Sequence, residues 1–192
     1  MEAARGRVSD DGRPRDRRAD RSRRPPRPTA GSRRSIRRVL MYVLDTDVLS
    51  LTSPTSAVAT KDVEAWRHWV IRNHDHLYFS VVTVMEVRFG IAKCIAKGAT
   101  AKAGKLQRWL TATETIYGSR IIPVSVEIAR KAGELLYAAV GAGTAPSSED
   151  AIVAATASVN GFQLLSRNGR HMAALGVDWL DPIGPRLADL SS

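Results

Sequence analysis

Three carboxylates stand out by type and position: Asp45, Glu86 and Asp150. Asp45 ends the apolar run Tyr42-Val43-Leu44, and an acid at the C-terminal end of a buried strand sits where open α/β sheets place ligands and catalytic groups. Asp150 follows Glu149 in the first turn of a helix expected to begin at Ser147 or Ser148, where the helix N-terminus stabilises ionised acids. Glu86 admits two readings. Gly90, its neighbour one turn on, has no side chain to cover the carboxylate and suggests close approach by something else. Equally, an acid in the first turn of a helix opened by Thr83 is what the helix dipole favours without any further role.

The elements that must position these acids follow from periodicity. Strands are expected at Tyr42–Leu44, Leu77–Val82, Ile121–Val124, Gln163–Ser166 and Val177–Leu180. A helical turn spans Thr46 to Leu51, and a serine or threonine of Ser53–Ser56 caps a helix running to about Arg72 through Ala59, Val63, Trp66 and Val70. The helix opened by Thr83 presents Val84, Val87, Ile91 and Ile95, and Gly98 to Gly104 breaks it. Lys105 to Tyr117 forms the next, and Ser125 caps one with Val126, Ala129, Gly133, Leu136 and Val140 on its apolar side. Trp66 and Trp69 read as core or interface residues and Cys94 as core filler, whereas His68, His74 and His76 lack metal-ligand spacing and read as solvated. Strands alternating with helices imply a parallel sheet covered on both faces.

At 192 residues the chain suits one domain, and its charge is unevenly spread. Residues 1–38 hold 14 Arg against five acids, while the other 154 residues carry 15 basic and 14 acidic side chains. The body is therefore nearly neutral. The extension over residues 1–40 has too little apolar surface to offset its ordering entropy and is expected to be disordered. It reads either as a nucleic-acid-binding arm or as upstream translation preceding a start at Met41. Within the body, Lys93, Lys97, Lys102, Lys105 and Arg108 form the one basic region, which either guides RNA or is a solvated hairpin face. The apolar run Val39–Leu44 is too short for a signal core or a membrane span, so a cytoplasmic, membrane-free protein is expected. A single cysteine excludes an internal disulfide.

Four segments carry a resemblance: Asp45-Thr-Asp-Val-Leu-Ser50, Ser80 to Gly90 around Glu86, Glu149-Asp150-Ala-Ile-Val-Ala-Ala-Thr-Ala157, and Leu164-Leu-Ser166-Arg167-Asn168. In this order and spacing, across Met41 to Ile183, the chain resembles a PIN-domain ribonuclease of the VapC toxin type. The resemblance implies an α/β protein with a three-layer α/β/α fold and a central mainly parallel sheet over residues 41–184, followed by a tail at 185–192. It implies a metal-dependent endoribonuclease, the toxin of a toxin–antitoxin pair, acting on RNA as a homodimer and restrained by a small VapB-like antitoxin. By position, Asp45, Glu86 and Asp150 match acids that hold Mg²⁺ or Mn²⁺, with Asn168 and Ser166 in support. Hard cations of this kind take carboxylate and water oxygens.

There are two departures from the family pattern. His171 stands where relatives commonly have a fourth acid, which opens a one-metal site, a Mn²⁺ preference or weak activity. Asp47 stands where many relatives have asparagine, and either replaces the missing charge or caps the turn after the strand. Two rival functions share the same residues: a catalytically weakened PIN-fold module that binds RNA or protein, and a structure-specific DNA nuclease.

Overall fold

The computed structural model describes residues 40–56 and 60–183, together with Leu187 and Leu190. Of the Arg-rich extension only Leu40 is among them, and of the expected tail at 185–192 only Leu187 and Leu190, so the readings of those segments lie outside the described residues.

Five short strands make one wholly parallel sheet: β1 (Tyr42–Leu44), β2 (Leu77–Ser80), β3 (Ile121–Ile122), β4 (Gln163–Leu165) and β5 (Trp179–Leu180), in the order β3-β2-β1-β4-β5. The order reverses direction at β1, which is flanked by β2 and β4, so the crevice of the sheet opens beyond the C-terminal ends of β1 and β4. Seven α-helices accompany the sheet among the described residues: α1 (Thr46–Ser50), α2 (Lys61–Asn73), α3 (Val81–Ala96), α4 (Thr100–Tyr117), α5 (Val126–Ala138), α6 (Ser148–Asn160) and α7 (Gly169–Ala174). This is the expected α/β/α arrangement.

One core layer is aromatic. Trp66 and Trp69 of α2 are fully buried and stacked 5.3 Å apart, with Tyr42 edge-on to Trp69 and Phe79 edge-on to Tyr117. The other layer is built from small side chains: Ala151, Val153, Ala154, Ala155 and Ala157 of α6 are buried and pack with Ile128, Ala132 and Leu135 of α5. Small residues let α6 lie close to the sheet, which brings its N-terminal turn up to the crevice. No described helix is long and apolar enough to cross a membrane.

Several local expectations shift. The cap of α2 is Thr60, whose Oγ1 accepts from the Val63 N–H, rather than a residue of Ser53–Ser56. β2 stops at Ser80, which caps α3 through its hydroxyl, so α3 begins two residues before Thr83. α4 begins at Thr100 rather than Lys105. β3 is a two-residue edge strand, because Pro123 has no N–H to donate. On α5 the buried stripe is Ile128, Ala132, Leu135 and Ala139, while Val126 and Val140 of the expected stripe are 68% and 76% exposed. Both stripes have helical spacing, so periodicity alone did not decide between them. Ile95 is exposed, Cys94 is half-buried at the edge of the α3–α4 contact, and no atom approaches the open side of Gly90 within 4 Å. Helix α7 has no counterpart among the expected elements.

Candidate active site

Asp45 is delivered by β1 to the sheet's crevice, only 6% exposed, and serves as the N-cap of α1 with Oδ1 accepting from the Thr46 N–H at 2.7 Å. Its Oδ2 accepts from the Ser166 hydroxyl at 2.6 Å, and that buried hydroxyl oxygen accepts from the Asn168 N–H at 3.0 Å. The ends of β1 and β4 are thus tied together by a carboxylate and a serine. Burial pushes the Asp45 carboxyl above the usual carboxylate range; the bonds from Ser166 and Thr46 oppose this, and the charge of Asp150 adds to it.

Glu86 reaches the same place from α3. Thr46 Oγ1 donates to its Oε2. With α3 starting at Val81, Glu86 lies in the second turn and the first turn holds no acid, which removes the dipole account of its presence. Its carboxyl is also raised, chiefly by burial and further by the charges of Asp45, Asp150 and Glu149. Three or four carboxylates facing one another are a configuration that a bound cation would relieve.

Asp150 is held by a capping box: Ser147 Oγ accepts from the Asp150 N–H at 3.1 Å, and Asp150 Oδ2 accepts from the Ser147 N–H at 2.9 Å. Asn168 Nδ2 donates to Asp150 Oδ1 at 3.3 Å. His171, on α7, places Nδ1 2.9 Å from Asp150 Oδ2 and 2.7 Å from Asn168 Nδ2. A proton on Nδ1 donates to Asp150, and without it Nδ1 accepts from Asn168, so the His171 tautomer is tied to the engagement of Asp150.

Asp47 does not cap α1, since Asp45 does. Its Oδ2 accepts from the Arg167 N–H at 3.1 Å, and its Oδ1 is buried with no partner. Burial, and then the charge of Asp45, push its carboxyl up to about 7.

Hydrogen bonds thus link Asp45, Ser166, Asn168, Asp150 and His171 in one chain, while Glu86 joins through Thr46 and Asp47 lies near enough for the charge of Asp45 to act on it. Two contributors escaped the sequence reading. Thr46 had no signal beyond its place after Asp45, and Glu149 was noted only as an acid beside Asp150. As they lie, no three His, Cys, Asp or Glu side chains among the described residues stand close enough to grip an ion. By chemistry the set nonetheless fits a hard divalent cation: carboxylate oxygens predominate, they raise one another's affinity for positive charge, and Asp47 Oδ1 is an unsatisfied buried acceptor.

The chain is similar to known proteins over the residues that carry this site. The PIN domain family matches residues 42–177. A VapC ribonuclease, Y4jK, of Sinorhizobium fredii is 30% identical over 146 residues, spanning 76% of this chain and 99% of that protein. The plasmid stability protein StbB of Pseudomonas syringae pv. tomato is 29% identical over 143 residues, 74% of this chain and 98% of the relative. Among solved structures, FitAcB from Neisseria gonorrhoeae superposes with a TM-score of 0.62 at 26% identity, covering 74% of this chain and 98% of the other.

Proposed function

Because the chain belongs to the PIN-domain family and is of the VapC type, we propose that it is a divalent-metal-dependent endoribonuclease, the toxin of a toxin–antitoxin pair. The observation that carries this reading is the meeting of Asp45, Glu86 and Asp150 from three separate elements at the C-terminal edge of the sheet, close enough for the charges of Asp45 and Asp150 to raise the Glu86 carboxyl. In this reading these three acids hold Mg²⁺ or Mn²⁺. When bound, such an ion lowers the pKa of a water and neutralises charge developing on the phosphate.

The protein's own residues set the stage. Ser166 fixes one oxygen of Asp45, Thr46 orients Glu86, and Ser147 and Asn168 lock the rotamer of Asp150. Outer partners of this kind typically contribute 10- to 100-fold in metal affinity or activity. His171 brings a neutral or cationic ring where a fourth carboxylate would add negative charge, so the site draws a cation less strongly and the nitrogen favours Mn²⁺ over Mg²⁺. The nuclease domain in this reading spans residues 41–184, and its partners are RNA, a VapB-like antitoxin and a second copy of the chain. For the second copy, Trp66 is buried in its own core and offers no surface, whereas Val81, Met85 and Phe89 are 41%, 52% and 64% exposed at four-residue spacing on α3. That stripe is the better self-association face.

Cleavage of a structured RNA with Mg²⁺ or Mn²⁺, comparing wild type with Asp45→Asn and Asp150→Asn, tests the proposal. Both amides keep the local caps, so undiminished cleavage by both variants rejects the assignment. A parallel digest of DNA separates a DNA nuclease. The second reading, a weakened binding module, draws on the His171 ring already occupying Asp150; it calls for RNA binding without metal-dependent product.

A further inference from the structure

A cavity of 660 Å³ opens between α2 and α4, with Arg67, Lys105, Arg108 and Trp109 among its walls and no acid among the described residues lining it. A second cavity of 400 Å³ shares Ser53 and Trp109 with the first, adds Lys102, and reaches Thr46 and Glu86 at the acidic site. Ser53 and Trp109 line both, so the two adjoin there and together outline a groove from Thr46 and Glu86 to the cations.

These cations are uncommitted. None of Arg67, Lys102, Lys105 and Arg108 is paired with an acid among the described residues, whereas Arg88 and Lys131 are paired with Glu114 and Glu134. Arg67 is anchored by its Nε donating to the Leu51 carbonyl at 2.8 Å, which leaves both terminal nitrogens without a protein partner among the described residues. Lys102, Lys105, Arg108 and Trp109 follow one another on α4 at intervals of three, three and one, and so share a face. Trp109 is partly buried against two core clusters and is therefore a fixed platform with part of its ring open to the groove.

Fixed aromatic surface beside unpaired cations suits a single nucleic-acid strand, whose bases stack while its phosphates take the charges. An acidic peptide would use the cations but not the flat platform. Resting on the nuclease reading for the other end of the groove, we propose that Trp109, Arg67, Lys105 and Arg108 form a subsite for single-stranded RNA. One base stacks on Trp109, the flanking phosphates contact the three cations, and the strand continues along the groove to Glu86 and Asp45.

The test is anisotropy of a labelled 12-nucleotide oligouridylate with the full chain in EDTA, across a salt series. Lys105→Gln/Arg108→Gln is expected to weaken binding and lower the slope of log affinity against log salt by about 1.4, at roughly 0.7 per lost phosphate contact on a single strand. Trp109→Ala is expected to weaken binding about tenfold, and Trp109→Phe, which keeps an aromatic face, to retain most of it. Binding is read without metal, so absence of cleavage by wild type bears on the nuclease reading, while these affinities and slopes decide the subsite. An unchanged slope in the double variant, or equal losses from Trp109→Phe and Trp109→Ala, overturns the proposal. So does loss of binding to a polyglutamate peptide with RNA binding intact, which would assign the groove to an acidic protein segment.

Discussion

Asp47→Asn is expected to stabilise the metal-free protein by an amount that grows as pH rises from about 4 to about 7. In the unfolded chain the carboxyl releases its proton near pH 3.9, whereas in the folded protein it is pushed up to about 7. Between these values the folded state holds a proton that the unfolded state has lost. Stability therefore falls as pH rises through this window, by at most about 1.4 kcal/mol per unit, and is lost through about pH 7. Three units bound the effect at about 4 kcal/mol; Asp47 is only partly buried, and water reaching it reduces the expected difference to about 1–2 kcal/mol at pH 8. Asparagine keeps an oxygen for the Arg167 N–H and removes the charge beside Asp45. It leaves one polar atom unpartnered where Asp47 Oδ1 already is, so the difference at pH 5 is expected to be only about a third of that at pH 8. Urea unfolding in EDTA at pH 5 and pH 8 checks this. Equal free energies for the two proteins at pH 8, or an equal loss in the variant at both pH values, would refute the assignment of a buried, charge-strained carboxyl. If Asp47 adds negative charge to a metal site, Mn²⁺ narrows the difference at pH 8.

Further outcomes follow from single contacts. Thr46→Val removes the hydroxyl that holds Glu86, and calorimetric titration with Mn²⁺ is expected to show affinity reduced about tenfold with the fold intact. Ser166→Ala leaves Asp45 Oδ2 buried without its donor and is expected to cost about 1.5–3 kcal/mol in urea unfolding, a loss absent from Ser158→Ala on the exposed side of α6. Gly169→Ala places a methyl 2.9 Å from the Trp179 ring at the start of α7, and is expected to cost about 1–3 kcal/mol and to blunt the tryptophan emission change on unfolding. Phe89→Glu on the exposed stripe of α3 is expected to shift sedimentation toward the monomer, and an unchanged dimer would remove that face from consideration.

The sequence by itself determined the class of fold and singled out the candidate acids. Apolar runs closed by Asp45 and Ser166, and helix starts marked by Ser125 and Ser147, are local signals that survive into the structure, because strand burial and capping depend on near neighbours. Where two local solutions had equal merit, tertiary packing chose. Helix α5 carries two apolar stripes of helical spacing, and only contact with α6 selects Ile128, Ala132 and Leu135. The meaning of Glu86 was likewise undecided until Ser80 proved to be the cap of α3, moving the acid out of the first turn and toward Thr46. The charge state of Asp47 was beyond reach of the sequence altogether. It depends on exclusion of water and on Asp45, whose own position is fixed by a serine 121 residues away.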